Sequence, residues 1–264
     1  MAEITQPYTQ GTPCWVDLMA SDQQAAIDYY SDLFGWNGEV GPPEFGGYSV
    51  CELRGKSVAG IGPAMSMDGG PPPPTVWTTY LAVDDIEQTA AKMKANGGQL
   101  FMEPMQVGDK GHMLVCADPS GAVVGAWQHL EFIGAERVNE PGAVTWNELN
   151  TRDLAAALPF YEAVFGLTFE PMPQMPAYHA MMANGRVCGG AQQIDDTWPA
   201  ETPPHWMTYF AVDDPDSTVA AAVRAGSTLI VPTFDMMAGR MAVVQDPQGG
   251  VFAVIKPTDV APPA

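Results

Sequence analysis

Positive charge is scarce in this chain: 11 Lys and Arg stand against 31 Asp and Glu over 264 residues, a formal net charge of −20 at pH 7. Nucleic acids and anionic membranes recruit clustered cations, so neither is an expected partner, and the acidic balance reads as a solubilising surface. Cysteine is scarce too. Cys14, Cys51, Cys116 and Cys188 are scattered, without the close pairs of a zinc site or a redox dithiol, and read as reduced, small apolar side chains. No apolar run reaches the roughly 18 residues that span a bilayer, and "MAEITQPYTQ" lacks the basic-then-apolar order of an export signal, so the expected location is cytoplasmic. There is no P-loop, dinucleotide fingerprint, Gly-x-Ser-x-Gly elbow or His-Glu-x-x-His helix. Nucleotide, serine-hydrolase and zinc-protease chemistries are left without support.

What is present is hydrophobic material, 46% of the residues, enough for one large core or two ordinary ones. The 16 Met fill cores in most proteins and also make adaptable binding surfaces. Above all there is repetition. "WVDLMASDQQAAIDYYSDLFG" from Trp15 returns as "WNELNTRDLAAALPFYEAVFG" from Trp146, "WTTYLAVDD" from Trp77 as "WMTYFAVDD" from Trp206, and "GHMLVCADPSG" from Gly111 as "GRMAVVQDPQG" from Gly239. The chain is two halves.

Each half is itself double. "CWVDLMA" has a strand pattern, Asp22 can cap a helix, and Ala26, Tyr29, Tyr30, Leu33 and Phe34 recur at helical steps until Gly35. "GGYSVCELRG" and "KSVAGIGPA" suit a hairpin turning at "RGK", with one more short strand expected beside it. From Trp77 the order restarts: strand, helix from about Asp84 to Asn96, then three strands with a turn at "DPSG". Pro159 falls inside the helix expected from Asp153, where proline normally costs about 3 kcal/mol, so a kink or later start is expected. Residues 10–130 and 143–257 form the expected domains, 131–142 a linker and 258–264 a tail. "MSMDGGPPPPTV", "DDTWPAETPP" and "VAPPA" read as Pro-rich connectors or loops.

Four βαβββ modules in two halves, a Tyr-x-x-x-Phe-Gly close to the first helix and an Asp-Pro-x-Gly before the last strand together resemble the vicinal oxygen chelate superfamily. It includes glyoxalase I, extradiol dioxygenases, fosfomycin-modifying enzymes and bleomycin-resistance proteins, and the two-domain actinobacterial members look most similar. The resemblance spans about Gly11 to Lys256. It implies an α+β fold with cupped mixed sheets and a ligand on the concave face. It also implies a metal, held by residues whose positions fall here on Trp15, Thr78 and Gly125 in the first half and on Trp146, Met207 and Ala253 in the second. None is a good ligand for a divalent ion. No metal or other cofactor is therefore expected.

Strand alternation puts Trp15, Asp17 and Met19 on one face, and Trp146, Glu148 and Asn150 on its equivalent. Asp17 and Glu148 are candidate acid-base groups or structural carboxylates; His205, sharing parity with Met207 and Tyr209, is a third catalytic candidate. Candidate ligand contacts are Trp15, Met19, Thr78, Tyr80, Trp127, Trp146, Met207 and Tyr209, with His112 and Arg240 at the cup rims. The leading expectation is metal-independent binding of a small hydrophobic or aromatic molecule, for natural-product sequestration, resistance or carriage. Alternatives are an acid-base isomerase, cyclase, lyase or oxygenase, a metal enzyme using His205 with Glu148, and a structural protein with filled cups. The chain is expected to be a monomer or a homodimer.

Overall fold

The computed structural model describes residues 2–65 and 73–258, so most of "MSMDGGPPPPTV" and the whole of "VAPPA" lie outside the described residues. The first half runs β1 (Ala2–Glu3), β2 (Pro13–Ala20), α1 (Gln23–Phe34), β3 (Ser49–Leu53), β4 (Lys56–Pro63), β5 (Val76–Ala82), α2 (Ile86–Ala95), β6 (Gln99–Val107), β7 (Gly111–Ala117) and β8 (Val123–His129). After β9 (Arg137–Val138), which pairs with β1, the second half runs β10 (Val144–Thr151), α3 (Leu154–Phe165), β11 (Thr168–Met172), β12 (Met175–Ala183), β13 (Arg186–Gln193), β14 (His205–Ala211), α4 (Pro215–Arg224), β15 (Thr228–Met236), β16 (Gly239–Gln245) and β17 (Val251–Pro257).

Among the described residues, the strands other than the β1–β9 pair make two mixed sheets, in the orders β3-β4-β2-β5-β8-β7-β6 and β11-β12-β13-β10-β14-β17-β16-β15. In the first, β2 runs parallel to β4 and β5 parallel to β8; in the second, β10 and β13, and β14 and β17, repeat this. The α+β reading stands. Local chemistry sets the boundaries. The four α-helices among the described residues each begin on an aspartate whose carboxylate takes a first-turn N–H: Asp22, Asp85, Asp153 and Asp214. Gly35 and Gly166 end α1 and α3 at φ 73° and 71°, a left-handed conformation that glycine adopts without strain.

Two expectations are narrowed: of the kink or later start expected at Pro159 the later start is removed, and the extra strand is lost from the first half. The helix α3 starts at Leu154 and passes through Pro159, with no later start. Pro159, the sixth of its 12 residues, forfeits one helix bond, while Phe160, Tyr161 and Phe165 remain fully buried and hold the helix in place. The extra strand expected beside β3 is reduced in the first half to a single bridge, Asn37 to Glu52. Pro42 and Pro43 follow, lack amide donors, and lead into a single 3-10 turn over Pro43–Phe45. The second half keeps that strand as β11, which accounts for its eighth member.

The helices lie between the halves. One core cluster joins Tyr30, Phe34 and Trp77 of the first half to Phe210 and Phe252 of the second, and the other joins Leu81, Met93 and Leu114 to Phe160, Tyr161 and Trp206. Cys51 and Cys116 are buried in these clusters, and Cys14 in the outer one below. Each sheet therefore spends one face on a core shared with the other half. The opposite faces carry their own smaller clusters, around Trp15, Tyr80 and Trp127 in the first half and Met207, Tyr209 and Met241 in the second.

Candidate functional site in the two cups

Alternation along the strands decides which residues reach the helix-free face, the cup face. Val16, Leu18 and Ala20 point into the shared core, so Trp15, Asp17 and Met19 point to the cup. Tyr80 and Trp127 join Trp15 there, with Phe132 edge-on to both indoles at 4.9 and 5.9 Å. Thr78 pairs with Asp17 across β2 and β5 and has the same parity. In the second half Trp146, Met207, Tyr209 and Met241 cluster on the equivalent face. Glu148 pairs with Met207 across β10 and β14.

A chain of polar groups crosses each cup. Trp15 Nε1 donates to Tyr48 Oη at 2.7 Å, and Tyr48 Oη donates to Asp17 Oδ2 at 3.1 Å. The Tyr80 hydroxyl lies against the same carboxylate, but Oδ1 has no hydrogen-bond partner of normal geometry. In the second cup Trp146 Nε1 donates to Tyr178 Oη at 2.9 Å, and Tyr209 Oη donates to Glu148 Oε1 at 2.9 Å. Glycine makes room for the phenols. A Cβ on Gly60 would overlap the Tyr48 hydroxyl, one on Gly190 the Tyr178 hydroxyl, and one on Gly125 the Tyr80 ring.

These carboxylates are buried without a cation. Burial pushes Asp17 up to about 7, against the weaker pull of its tyrosine donors, and raises Glu148 for the same reason. Tyr48, Tyr80 and Tyr209 are themselves raised by burial, next by the neighbouring carboxylate, and stay protonated as donors. His205 lies on the second cup face. Pro203 O accepts from its Nδ1 at 2.8 Å, so Nε2 carries the lone pair, and burial lowers its pKa and keeps the ring neutral.

Two sequence candidates point the other way. His112 alternates with Leu114 and Cys116, and Arg240 with Ala242 and Val244, all residues of the shared cores. Both therefore face the helices rather than the cup rims. Arg240 pairs there with Asp216 of α4 at 2.6 Å and with Asp235 at 3.1 Å, and it holds the Asp216 carboxyl down to about 2. Reading from the sequence missed Tyr48 and Tyr178. The available signal was a tyrosine repeated two residues before the strand partner of a repeated glycine: Tyr48 before Val50, which pairs with Gly60, and Tyr178 before Ala180, which pairs with Gly190.

The positions that hold metal in the superfamily carry an indole, a hydroxyl and no side chain in the first cup, and an indole, a thioether and a methyl in the second. These donor sets do not fit a divalent ion. Among the described residues no three His, Cys, Asp or Glu side chains come together, so His205 and Glu148 gain no third donor of these types.

Two mixed sheets of tandem βαβββ modules with helices between them define an α+β fold of repeated, paired modules. The chain belongs to the Glyoxalase/Bleomycin resistance protein/Dioxygenase superfamily, which it matches over residues 13–126 and again over 143–254. It is 44% identical over 257 residues to "Putative glyoxylase CFP32" of Mycobacterium bovis, covering 95% of this chain and 96% of that protein. It is 34% identical over 275 residues to the anthracycline biosynthesis protein DauV of Streptomyces sp. strain C5, covering 97% of each. Among solved structures it resembles the Mn(II)-bound glyoxalase of Novosphingobium aromaticivorans, with TM-score 0.64, 16% identity, and 94% of this chain and 83% of that one covered. The 2,3-dioxygenase LapB of Pseudomonas sp. KL28 follows with TM-score 0.61, 13% identity, and 97% and 98% covered. At these identities the structural likeness establishes the fold.

Proposed function

We propose that the chain binds an apolar or aromatic small molecule on its cup faces without a metal of the superfamily type, as a carrier or sequestering protein for an oxygenated natural product. One observation carries this reading: where the superfamily places metal ligands, both cups hold tryptophan and small or apolar residues, and beside them an indole, phenol and carboxylate are joined by hydrogen bonds. Apolar walls with a few convergent polar groups are the usual make-up of a small-molecule site. Met19, Met113, Met207 and Met241 add side chains that adapt to irregular ligands. The likeness to a protein named for anthracycline biosynthesis supports an aromatic, oxygenated ligand. The test is titration with 2-methoxynaphthalene, followed by quenching of tryptophan fluorescence and by calorimetry. Saturable binding that weakens in Trp146→Leu is expected; no binding of this compound or of its hydroxyl analogue 2-naphthol up to the solubility limit overturns the reading.

A second reading has its own observation. The Asp17 carboxyl, at about 7 and with Oδ1 unpaired, has the proton affinity of a general acid-base group at neutral pH. On this reading the bound molecule is isomerised, cyclised, cleaved or oxygenated with Asp17, Glu148 or His205 moving the proton. Turnover abolished in Asp17→Asn or Glu148→Asn with binding retained supports it; turnover untouched by either replacement removes it.

A further inference from the structure

Asn150 Oδ1 is a buried acceptor without a donor: the residue is 1% exposed and the atom makes no hydrogen bond. Asn150 shares its face of β10 with Glu148, where it helps hold that carboxyl down against the larger effect of burial, and Oδ1 is the amide atom left without a partner. Asn150 stands in a row across the second sheet. Tyr178 pairs with Gln192, Gln192 with Asn150, and Asn150 with His205, all on the cup face. At the end of the row His205 offers the lone pair of Nε2, its Nδ1 proton being committed to Pro203 O at 2.8 Å. The Trp198 ring stands beside it, centroids 6.4 Å apart.

The first half has the same row with its polarity removed. Met19 pairs with Gly62 and with Val76, the positions of Asn150, Gln192 and His205 in the second half. The two halves match at the indole, the phenols and the carboxylate and diverge here. They differ one layer away as well: Phe132 packs edge-on to Trp15 at 4.9 Å, whereas Trp146 is only partly buried.

We infer that the second cup reads a hydroxyl group: Asn150 Oδ1 and His205 Nε2, on paired residues of neighbouring strands, share the single proton of a phenolic or enolic O–H of the bound molecule in a three-centre hydrogen bond, while the first cup has Met19, Gly62 and Val76 at the positions of Asn150, Gln192 and His205. This rests on the binding reading above and adds to it the half that confers specificity and the chemical class recognised. A carbonyl or ether oxygen set against this row would leave the buried Asn150 Oδ1 unpaired, whereas a donor satisfies it. A site built to pair with a hydroxyl rejects the analogue that lacks it far more strongly than an apolar pocket rejects an extra methyl group.

The experiment compares 2-naphthol with 2-methoxynaphthalene, which differ by one methyl group on the oxygen, in the full chain by calorimetry. The hydroxyl compound is expected to bind at least about tenfold tighter. Asn150→Leu and His205→Phe should each collapse that ratio while keeping the affinity for the ether, which also reports that the variant is folded. With histidine 15N-labelled, 2-naphthol should shift the Nε2 resonance of His205 and the ether should not. Equal affinities in the unmodified chain, or a preference that survives both replacements, overturn this inference and leave the binding reading intact. Failure of both compounds to bind removes the two together.

Discussion

The Tyr30 hydroxyl donates a 2.7 Å hydrogen bond to Asp246 Oδ2, 216 positions further along the chain, and Tyr161 repeats the bond to Asp118 Oδ2 at 2.9 Å. In each case the other carboxylate oxygen builds the Asp-Pro-x-Gly turn: Asp246 Oδ1 accepts from Gln248 N and Gly250 N, and Asp118 Oδ1 from Ser120 N and Ala122 N. Trp77 and Trp206 each donate to the respective tyrosine oxygen, at 3.0 and 2.9 Å. The helix motif of one half and the turn motif of the other are therefore the two sides of one bond, made twice.

Tyr30→Phe and Tyr161→Phe should each destabilise the chain by about 2 kcal/mol, since each leaves a buried carboxylate oxygen unpaired. The melting temperature should fall by roughly 5 °C in either variant. Because the bonds are pseudo-symmetric, the two losses should be similar. Chemical denaturation of both variants checks this, and a cost confined to one of them would show that the halves are not equivalent across their shared core.

Much of the architecture was legible because it rests on short-range signals. Asp22, the three- and four-residue apolar steps and Gly35 specify α1, and the turn at "RGK" uses Arg54 and Gly55 at φ 55° and 74°. Trp15, Asp17 and Met19 were placed on one face by strand period alone, and the structure keeps them together. What failed was non-local. In β7 both Met113 and Val115 on one face and Leu114 and Cys116 on the other are apolar, so hydrophobic pattern could not tell which way His112 points. The Tyr30 to Asp246 contact joins residues too far apart for any local pattern to reveal. Tyr48 entered the site only through its neighbour on the adjacent strand, Gly60.

Stability should fall as pH rises from about 4 to above 7. Asp17 has an ordinary carboxyl pKa when unfolded and about 7 when folded, so the folded chain holds the extra proton across that interval and loses its advantage as pH climbs. A shift of that size corresponds to up to roughly 4 kcal/mol between the two ends. Glu148, also raised by burial, contributes with the same sign. Asp17→Asn should flatten the slope and the Asp17→Asn/Glu148→Gln double variant should flatten it further. Urea midpoints at pH 5 and pH 8 measure it; an unchanged slope in the double variant would place the titration elsewhere.

Gly60→Ala and Gly190→Ala should each disturb a cup from beneath. The added methyl occupies the position of the Tyr48 or Tyr178 hydroxyl, so the phenol must move and release its tryptophan, and in the first cup Asp17 as well. Overpacking of this kind costs about 1–3 kcal/mol. Tryptophan emission should shift along with the loss of stability, because the Trp15 or Trp146 indole N–H is freed. An alanine variant with unaltered emission and melting would mean that the tyrosine is not held over the glycine.

Divalent ions should leave the folded chain unmoved. A ligand that binds only the folded state raises stability by RT ln(1 + [L]/Kd), about 2.7 kcal/mol at a hundredfold excess over Kd. Trp15, Thr78, Gly125 and their counterparts Trp146, Met207 and Ala253 give a metal no donors at the superfamily positions, so Mn, Fe, Co, Ni and Zn should produce no such shift. Elemental analysis after incubation and desalting should find metal well below one equivalent per chain. One equivalent would point to donors away from those positions. In that case the ion's effect on Glu148→Gln and His205→Phe would show whether the second cup supplies them.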